Sequence, residues 1–251
     1  MCGKCSLMNP KTAEWVSKKV GSDAKRLGSS GFVVLCDFDG TITSFDTAEF
    51  ILRRFAEGDW EQYDRLLDEG KISLEECMVR QFELVHVTEE AIIDELEKVA
   101  IIRPNFPDLV HFCNRISIPF FIVSAGLDFV INHYLDKMRL CHSVRMHSGT
   151  SYFDGQWIRF SFPRLVNMEA KSFKDDLVMT YQRLGRKVVY IGDGLSDLVA
   201  ARRANIRFAV SGMRLERTLR EEGFAFESFI DFADVEQKLS ELLNCSSSVS
   251  P

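Results

Sequence analysis

Four short apolar runs punctuate the chain, at residues 32–36, 120–123, 188–191 and 206–210. None alternates with polar positions, the pattern of parallel strands covered on both faces. Segments with helical spacing stand among them, at about 127–137, 175–184 and 196–204. This alternation predicts an α/β fold, a Rossmann-like parallel sheet with helices on both faces. Sheets of this kind bind ligands at the carboxyl ends of their strands.

Residues 44–103 break the alternation. Four consecutive helices are predicted there, at 48–56, 60–67, 73–85 and 88–99. Ser73 and Glu76 have the S-x-x-E spacing of a capping box and mark one helix start. An all-helical insert after the first strand suggests a lid. Residues 152–158 read as a hairpin turning at Asp154-Gly155. The expected division is an N-terminal extension over 1–30, an α/β core over 31–43 and 104–245, a helical cap over 44–103 and a flexible tail over 246–251. The extension is locally basic at Lys18, Lys19, Lys25 and Arg26. It contains one predicted helix over 12–25 and a glycine-serine hinge over 28–31.

Composition narrows the function classes. The chain has 251 residues, 46% hydrophobic and 27% charged, with a formal net charge of −6. Those values fit a globular protein with its own core. Mild acidity gives no reason to expect a nucleic-acid partner. No apolar run approaches the ~20 residues that span a bilayer, and no signal-peptide pattern opens the chain. The expectation is a cytoplasmic protein with no membrane partner, as monomer or homodimer. Seven scattered cysteines fit a reducing compartment better than a disulfide framework. Cys2 and Cys5 form a lone C-x-x-C, and no second pair completes a zinc site.

Four features carry candidate chemistry. Asp37-Phe38-Asp39-Gly40-Thr41 follows the first strand directly. Carboxylates brought together there repel unless a cation sits between them. Mg²⁺ is the natural one, because it takes hard oxygen ligands from one or two carboxylates. Gly192-Asp193-Gly194-Leu195-Ser196-Asp197 follows the third apolar run and adds two more acids. Ser124-Ala125-Gly126 places a hydroxyl and free amides before a helix, an anion site in outline. A lysine near the start of the helix over 175–184 is either Lys171 or Lys174. Each feature also has a plainer reading, as a helix cap or a solvated charge.

Together and in this order, the four resemble the motifs of the haloacid dehalogenase superfamily of phosphohydrolases: D-x-D-G-T, a Ser or Thr after a strand, a Lys, then G-D-G-x-x-D. The resemblance covers about residues 32–245. It implies Asp37 as nucleophile forming an aspartyl-phosphate and Asp39 as general acid and base. It implies Ser124, Gly126 and Lys174 as the phosphate grip. Asp37, Asp193 and the backbone carbonyl of Asp39 would hold Mg²⁺, with Asp197 in support. It further implies a small phosphorylated metabolite as substrate.

The helical insert resembles the C1-type cap of the phosphoserine phosphatase branch. That branch carries a Glu where Asp46 stands here, and a cap Arg where the register puts Gln81, with Arg80 one residue away. Residues 37–43, 70–82 and 119–135 are more similar to the branch acting on 2-hydroxy-3-keto-5-methylthiopentenyl-1-phosphate. Asp46, Arg80 and Phe82 are the candidate substrate contacts. Phosphoserine, phosphocholine, phosphoethanolamine and pyridoxal phosphate stand as alternative substrates. A receiver-type signalling domain or a catalytically silent binding protein stands as the alternative from another class. The second Asp of the D-x-D pair argues against a long-lived phosphoaspartate, and the full set of expected side chains argues against silence.

Overall fold

The computed structural model describes residues 31–99 and 102–247, with side chains through 243. The expectations for the extension over 1–30, for Cys2 and Cys5, and for residues 248–251 of the tail lie outside the described residues.

The described chain begins in β1 (Phe32–Cys36), whose last four residues are buried. Four helices follow, α1 (Thr47–Phe55), α2 (Glu61–Asp68), α3 (Leu74–Phe82) and α4 (Glu89–Leu96). The chain then forms α5 (Phe106–Arg115), β2 (Phe120–Ser124), α6 (Asp128–Lys137) and β3 (Arg145–Ser148). A two-stranded antiparallel hairpin, β4 (Thr150–Asp154) and β5 (Trp157–Ser161), stands apart from the main sheet. After it come α7 (Phe173–Arg183), β6 (Lys187–Gly192), a 3₁₀ turn at Leu195–Asp197, α8 (Leu198–Arg203) and β7 (Ile206–Val210). The last elements are α9 (Arg214–Glu221), β8 (Glu227–Phe229) and α10 (Phe232–Ser247).

Six strands form one parallel sheet in the order β3-β2-β1-β6-β7-β8. The predicted parallel α/β fold is therefore the observed one. β1 leads toward β2 on one side, while β6 leads toward β7 on the other. The strand order thus reverses between β1 and β6, and a crevice opens at their carboxyl ends. Leu35 pairs with Tyr190 and Cys36 with Ile191 across this junction. The Asp37 N–H extends the ladder to the Ile191 carbonyl at 2.9 Å, so the first motif acid is fixed by the sheet itself.

The helices α1–α4 leave the sheet after β1 and return before α5. Their two connections to the core are tied together. Thr43 and Ile102 form an antiparallel bridge, and the Arg103 N–H donates to the Ile42 carbonyl at 2.8 Å. The β4–β5 hairpin packs against this insert. Phe160 stacks on Phe82, with ring centroids 6.1 Å apart, and Trp157 forms a bridge with His86.

Several boundaries differ from the sequence reading. α3 begins at Leu74 with Ser73 as its N-cap, whose Oγ accepts the Glu76 N–H at 3.1 Å. It ends at Phe82, three residues short of the predicted end. The hairpin turns at Gly155-Gln156, because Asp154 is the last strand residue and pairs with Trp157. Gly155 supplies the positive φ that a tight hairpin turn requires. The helix α10 runs through 247, two residues past the expected core boundary at 245. Five elements escape the sequence reading, α5, β3, α9, β8 and α10. β3 is polar and β8 only three residues long, while α5 starts from a left-handed Asn105 with Pro107 in its first turn.

Candidate active site

The carboxyl ends of β1 and β6 bring Asp37 and Asp193 together, and the 3₁₀ turn adds Asp197. One carboxylate oxygen from each lies within 4.8 Å of the others. Lys174 enters from the first turn of α7. A cation there opposes the helix dipole, yet the side chain is only 1% exposed. Its Nζ lies 2.8 Å from Asp37 Oδ1 and 2.7 Å from Asp197 Oδ1. Burial opposes the ammonium charge, but Asp197 and Asp37 outweigh it and hold the group above the usual lysine range. Lys171 is exposed; its backbone N–H donates to Asp175 at 3.0 Å.

Asp197 is saturated. Besides Lys174, it accepts from the Tyr190 hydroxyl at 2.7 Å and from the backbone N–H groups of Asp193 and Gly194, each at 3.1 Å. It therefore orients Lys174 and the Asp193 loop, and its lone pairs are committed. Asp37 and Asp193 are less so. Asp37 Oδ2 has no partner among the described residues, while Asp193 accepts from the Thr41 hydroxyl at 3.0 Å. Burial and then repulsion by Asp197 push both carboxyls up, Asp193 to about 7. A hard divalent cation between Asp37 and Asp193 would relieve that repulsion. The donor set therefore fits such a cation.

Gly40 makes the approach possible. Its φ is +74°, and a Cβ there would lie 2.5 Å from Asp193 Oδ2. Arg103 holds the same loop from outside. Its guanidinium donates to the Thr41 carbonyl at 2.7 Å and the Gly40 carbonyl at 2.9 Å. Asp39 points the other way. Its Oδ1 accepts from the backbone N–H (3.1 Å) and hydroxyl of Thr47 at the start of α1. Ser124 Oγ donates to its Oδ2 at 3.3 Å. Burial raises the Asp39 carboxyl, and the Thr47 hydrogen bonds oppose that rise. Gly126 packs directly against Asp39, since a Cβ there would sit 2.2 Å from Oδ2. The Gly126 N–H donates to Ser124 Oγ at 2.9 Å.

These groups open on one cavity of about 640 Å³ between the sheet ends and α1–α3. Asp37, Asp39, Ser124, Gly126, Lys174 and Asp193 line it, and so does Asp46. Asp46 also caps α1, accepting the Glu49 N–H at 2.8 Å. The other two candidate contacts are not brought there. Arg80 faces outward and pairs with Glu76, 2.5 Å away on the same helix. Phe82 is fully buried in the core beneath Phe160. Successive helix positions point about 100° apart, so it is Gln81, between them, that faces the cavity. Thr47, Tyr190 and Arg103 were not singled out from the sequence. Their partners lie 7 to 127 residues away, and no local spacing signals them.

Comparison with known proteins gives the family and the fold. The model of the haloacid dehalogenase-like hydrolase family matches residues 34–202. A 2-hydroxy-3-keto-5-methylthiopentenyl-1-phosphate phosphatase of Geobacillus kaustophilus (strain HTA426) is 32% identical over 209 residues, covering 81% of this chain and 93% of that protein. The phosphatase of the same name from Brevibacillus brevis (strain 47 / JCM 6285 / NBRC 100599) is 29% identical over 212 residues, 82% of this chain and 94% of that one. A substrate-bound phosphoserine phosphatase structure superposes with a TM-score of 0.61 at 15% identity, over 84% of this chain and 99% of the other. That likeness is one of fold. Among the described residues no helix is long and apolar enough to cross a membrane.

Proposed function

The chain belongs to the haloacid dehalogenase-like hydrolase family, and from that premise we propose that it is a Mg²⁺-dependent phosphomonoesterase acting on a small phosphorylated metabolite. The substrate put forward is 2-hydroxy-3-keto-5-methylthiopentenyl-1-phosphate, on which its similar relatives are named as acting. The observation that carries the reading is the buried Lys174–Asp37 contact in the lining of that cavity.

In this reading the partnerless Oδ2 of Asp37 attacks phosphorus, forming the Asp–phosphate bond as the ester P–O bond breaks. Asp39, held by Thr47, gives its proton to the leaving alkoxide. It then takes a proton from the water that cleaves the acyl phosphate, which restores Asp37 and releases inorganic phosphate. Burial favours the protonated form of Asp39 that the first step needs. Lys174 neutralises the phosphoryl oxygens, and Ser124 adds a hydroxyl. Asp197 and Tyr190 are positioning groups that act through Lys174. Asp37, Asp193 and the Asp39 carbonyl would hold Mg²⁺, which supplies further charge neutralisation. The insert α1–α4 serves as the cap over 44–103 that keeps bulk water from the acyl phosphate.

Phosphoserine fits less well. A cation is needed for its carboxylate, and the only ones lining the cavity among the described residues are Lys174 and Arg214, both outside α1–α4.

The test is phosphate release from the methylthiopentenyl ester, phosphoserine, phosphocholine and pyridoxal phosphate, with and without Mg²⁺, for the parent and Asp37→Asn. Turnover that needs Mg²⁺ and vanishes in Asp37→Asn is expected. Absence of turnover on every ester from folded, Mg²⁺-supplied protein would sink the proposal.

A further inference from the structure

The cavity has two walls of different character. The sheet ends supply charged groups, Asp37, Asp39 and Asp193, with Lys174 from α7 beside them. The helices α2 and α3 supply the apolar side chains of Trp60, Leu67, Leu74 and Met78. Trp60, the N-cap of α2, and Leu67 share one face of that helix, and Leu74 and Met78 share one face of α3. Stripes of this spacing ordinarily cover a core. Here α2 has no fully buried residue, and half-buried Leu67 is not part of the hydrophobic core. Its side chain lines the cavity instead.

The polar groups set into the cap wall are engaged with their own neighbours. Gln81 Nε2 donates to Asp64 Oδ1 at 2.8 Å, and the Cys77 thiol donates to the same oxygen at 3.7 Å. Glu49 pairs with Arg53 at 2.6 Å, and Asp46 caps α1. Among the described residues, α1–α3 place no cation in the lining.

Apolar side chains with no packing role gain by being covered with apolar atoms. We propose that Trp60, Leu67, Leu74 and Met78 determine specificity, taking an uncharged apolar tail, hydrocarbon or thioether, at the substrate's end away from phosphorus. The inference rests on the phosphatase reading above. The methylthio group of the ester put forward there is a tail of this class, and its sulfur suits the ring of Trp60 and the thioether of Met78. An ammonium tail would lose its hydration against these side chains. A carboxylate would lose it too, and would meet Asp64 with like charge.

The test compares five phosphate esters with tails of equal length: heptyl, 5-(methylthio)pentyl, 6-hydroxyhexyl, 6-aminohexyl and 5-carboxypentyl phosphate. The reacting ends are alike, so the ratios report the tail. The parent is expected to favour the heptyl and methylthio esters over both charged esters by about tenfold or more in kcat/KM, with the hydroxyl ester between them. Leu67→Gln keeps a good helix former and is expected to bring the five within about threefold of one another. On the methylthiopentenyl ester it is expected to raise KM about tenfold with kcat little changed, whereas a loss of structure would lower kcat as well. Thermal melts verify folding, and Leu74→Gln replaces Leu67→Gln if the latter does not fold. Parent ratios within about threefold would overturn the inference and leave the phosphatase reading standing. So would preference for the amino, carboxylate or hydroxyl ester, or ratios unchanged in folded Leu67→Gln. If the methylthiopentenyl ester alone is turned over, its KM in Leu67→Gln decides, and an unchanged KM would overturn the inference. No turnover of any ester, that one included, would overturn the phosphatase reading and the inference with it.

Discussion

Lys174→Met separates a catalytic lysine from a solvated one. The residue is buried and its ammonium bridges Asp37 at 2.8 Å and Asp197 at 2.7 Å. Removing one partner of a buried ion pair costs about 3–5 kcal/mol. The loss is shared unequally here. Asp197 keeps the Tyr190 hydroxyl and two backbone N–H donors, whereas Asp37 loses its one side-chain partner. The expected cost is therefore near the lower bound, about 3 kcal/mol, or roughly 6–12 °C in melting temperature for a chain of this size. The sign of the pH dependence follows from the folded-state shifts. Lys174 is held above the usual lysine range, so its stabilisation is complete below that range and is lost only as pH rises through its folded value. In the variant Asp37 is left without its cation. A carboxyl raised in the folded state gains stability by protonation as pH falls. The deficit should accordingly be larger at pH 8 than at pH 5. Urea denaturation of the EDTA-treated protein at both values measures it, and phosphate release is expected to fall about 10²–10³-fold. Lys171→Met, at an exposed position, should change stability by less than about 0.5 kcal/mol. A Lys174→Met deficit below about 1 kcal/mol and independent of pH, with turnover near that of the parent, would refute the argument.

Gly126→Ala should displace Asp39, because the new Cβ would fall 2.2 Å from Oδ2; turnover is expected to drop about a hundredfold or more at a stability cost of about 1–3 kcal/mol, and near-parental turnover would count against Asp39 as acid and base. Arg80→Ala and Phe82→Ala should split: the exposed Arg80–Glu76 pair is worth about 0–1 kcal/mol, while truncating the fully buried Phe82 should cost about 3–5 kcal/mol. A changed KM with unchanged stability in Arg80→Ala would return that residue to the substrate site. Mg²⁺ at a hundred times its dissociation constant should stabilise the parent by about 2.7 kcal/mol. Asp193→Asn should abolish most of that gain in a calorimetric or fluorescence melt, and an equal gain in both proteins would remove Asp193 from the metal site.

What the chain discloses by itself depends on how far apart the cooperating residues are. Residues 32–36 and 206–210 read as strands, and the structure has β1 and β7 with those same limits. A strand covered on both faces needs an unbroken apolar run, and that requirement is local. The spacing of Asp37 and Asp39 is equally local, as both leave one strand end within three residues. β3 and β8 were silent because a short or polar edge strand needs no apolar run. α5 was silent because it starts from a left-handed Asn105 and carries no side-chain cap.

The contacts that tune the site belong to the silent class. Arg103 supports carbonyls of residues 40 and 41, and Lys174 reaches Asp197 across 23 residues. Only the closing of the sheet at the β1–β6 reversal makes them neighbours. Asp197 shows the difference most sharply. Its spacing from Asp193 marks it as part of a motif, and from spacing alone it is one more acid for a cation. With four donors already on its carboxylate, it has no lone pair to spare, so its acid charge is spent on fixing Lys174 and the Asp193 loop. Two acids of one motif thus take opposite tasks. The one left under-satisfied faces the cavity and can take a ligand, and the one that is saturated holds the frame.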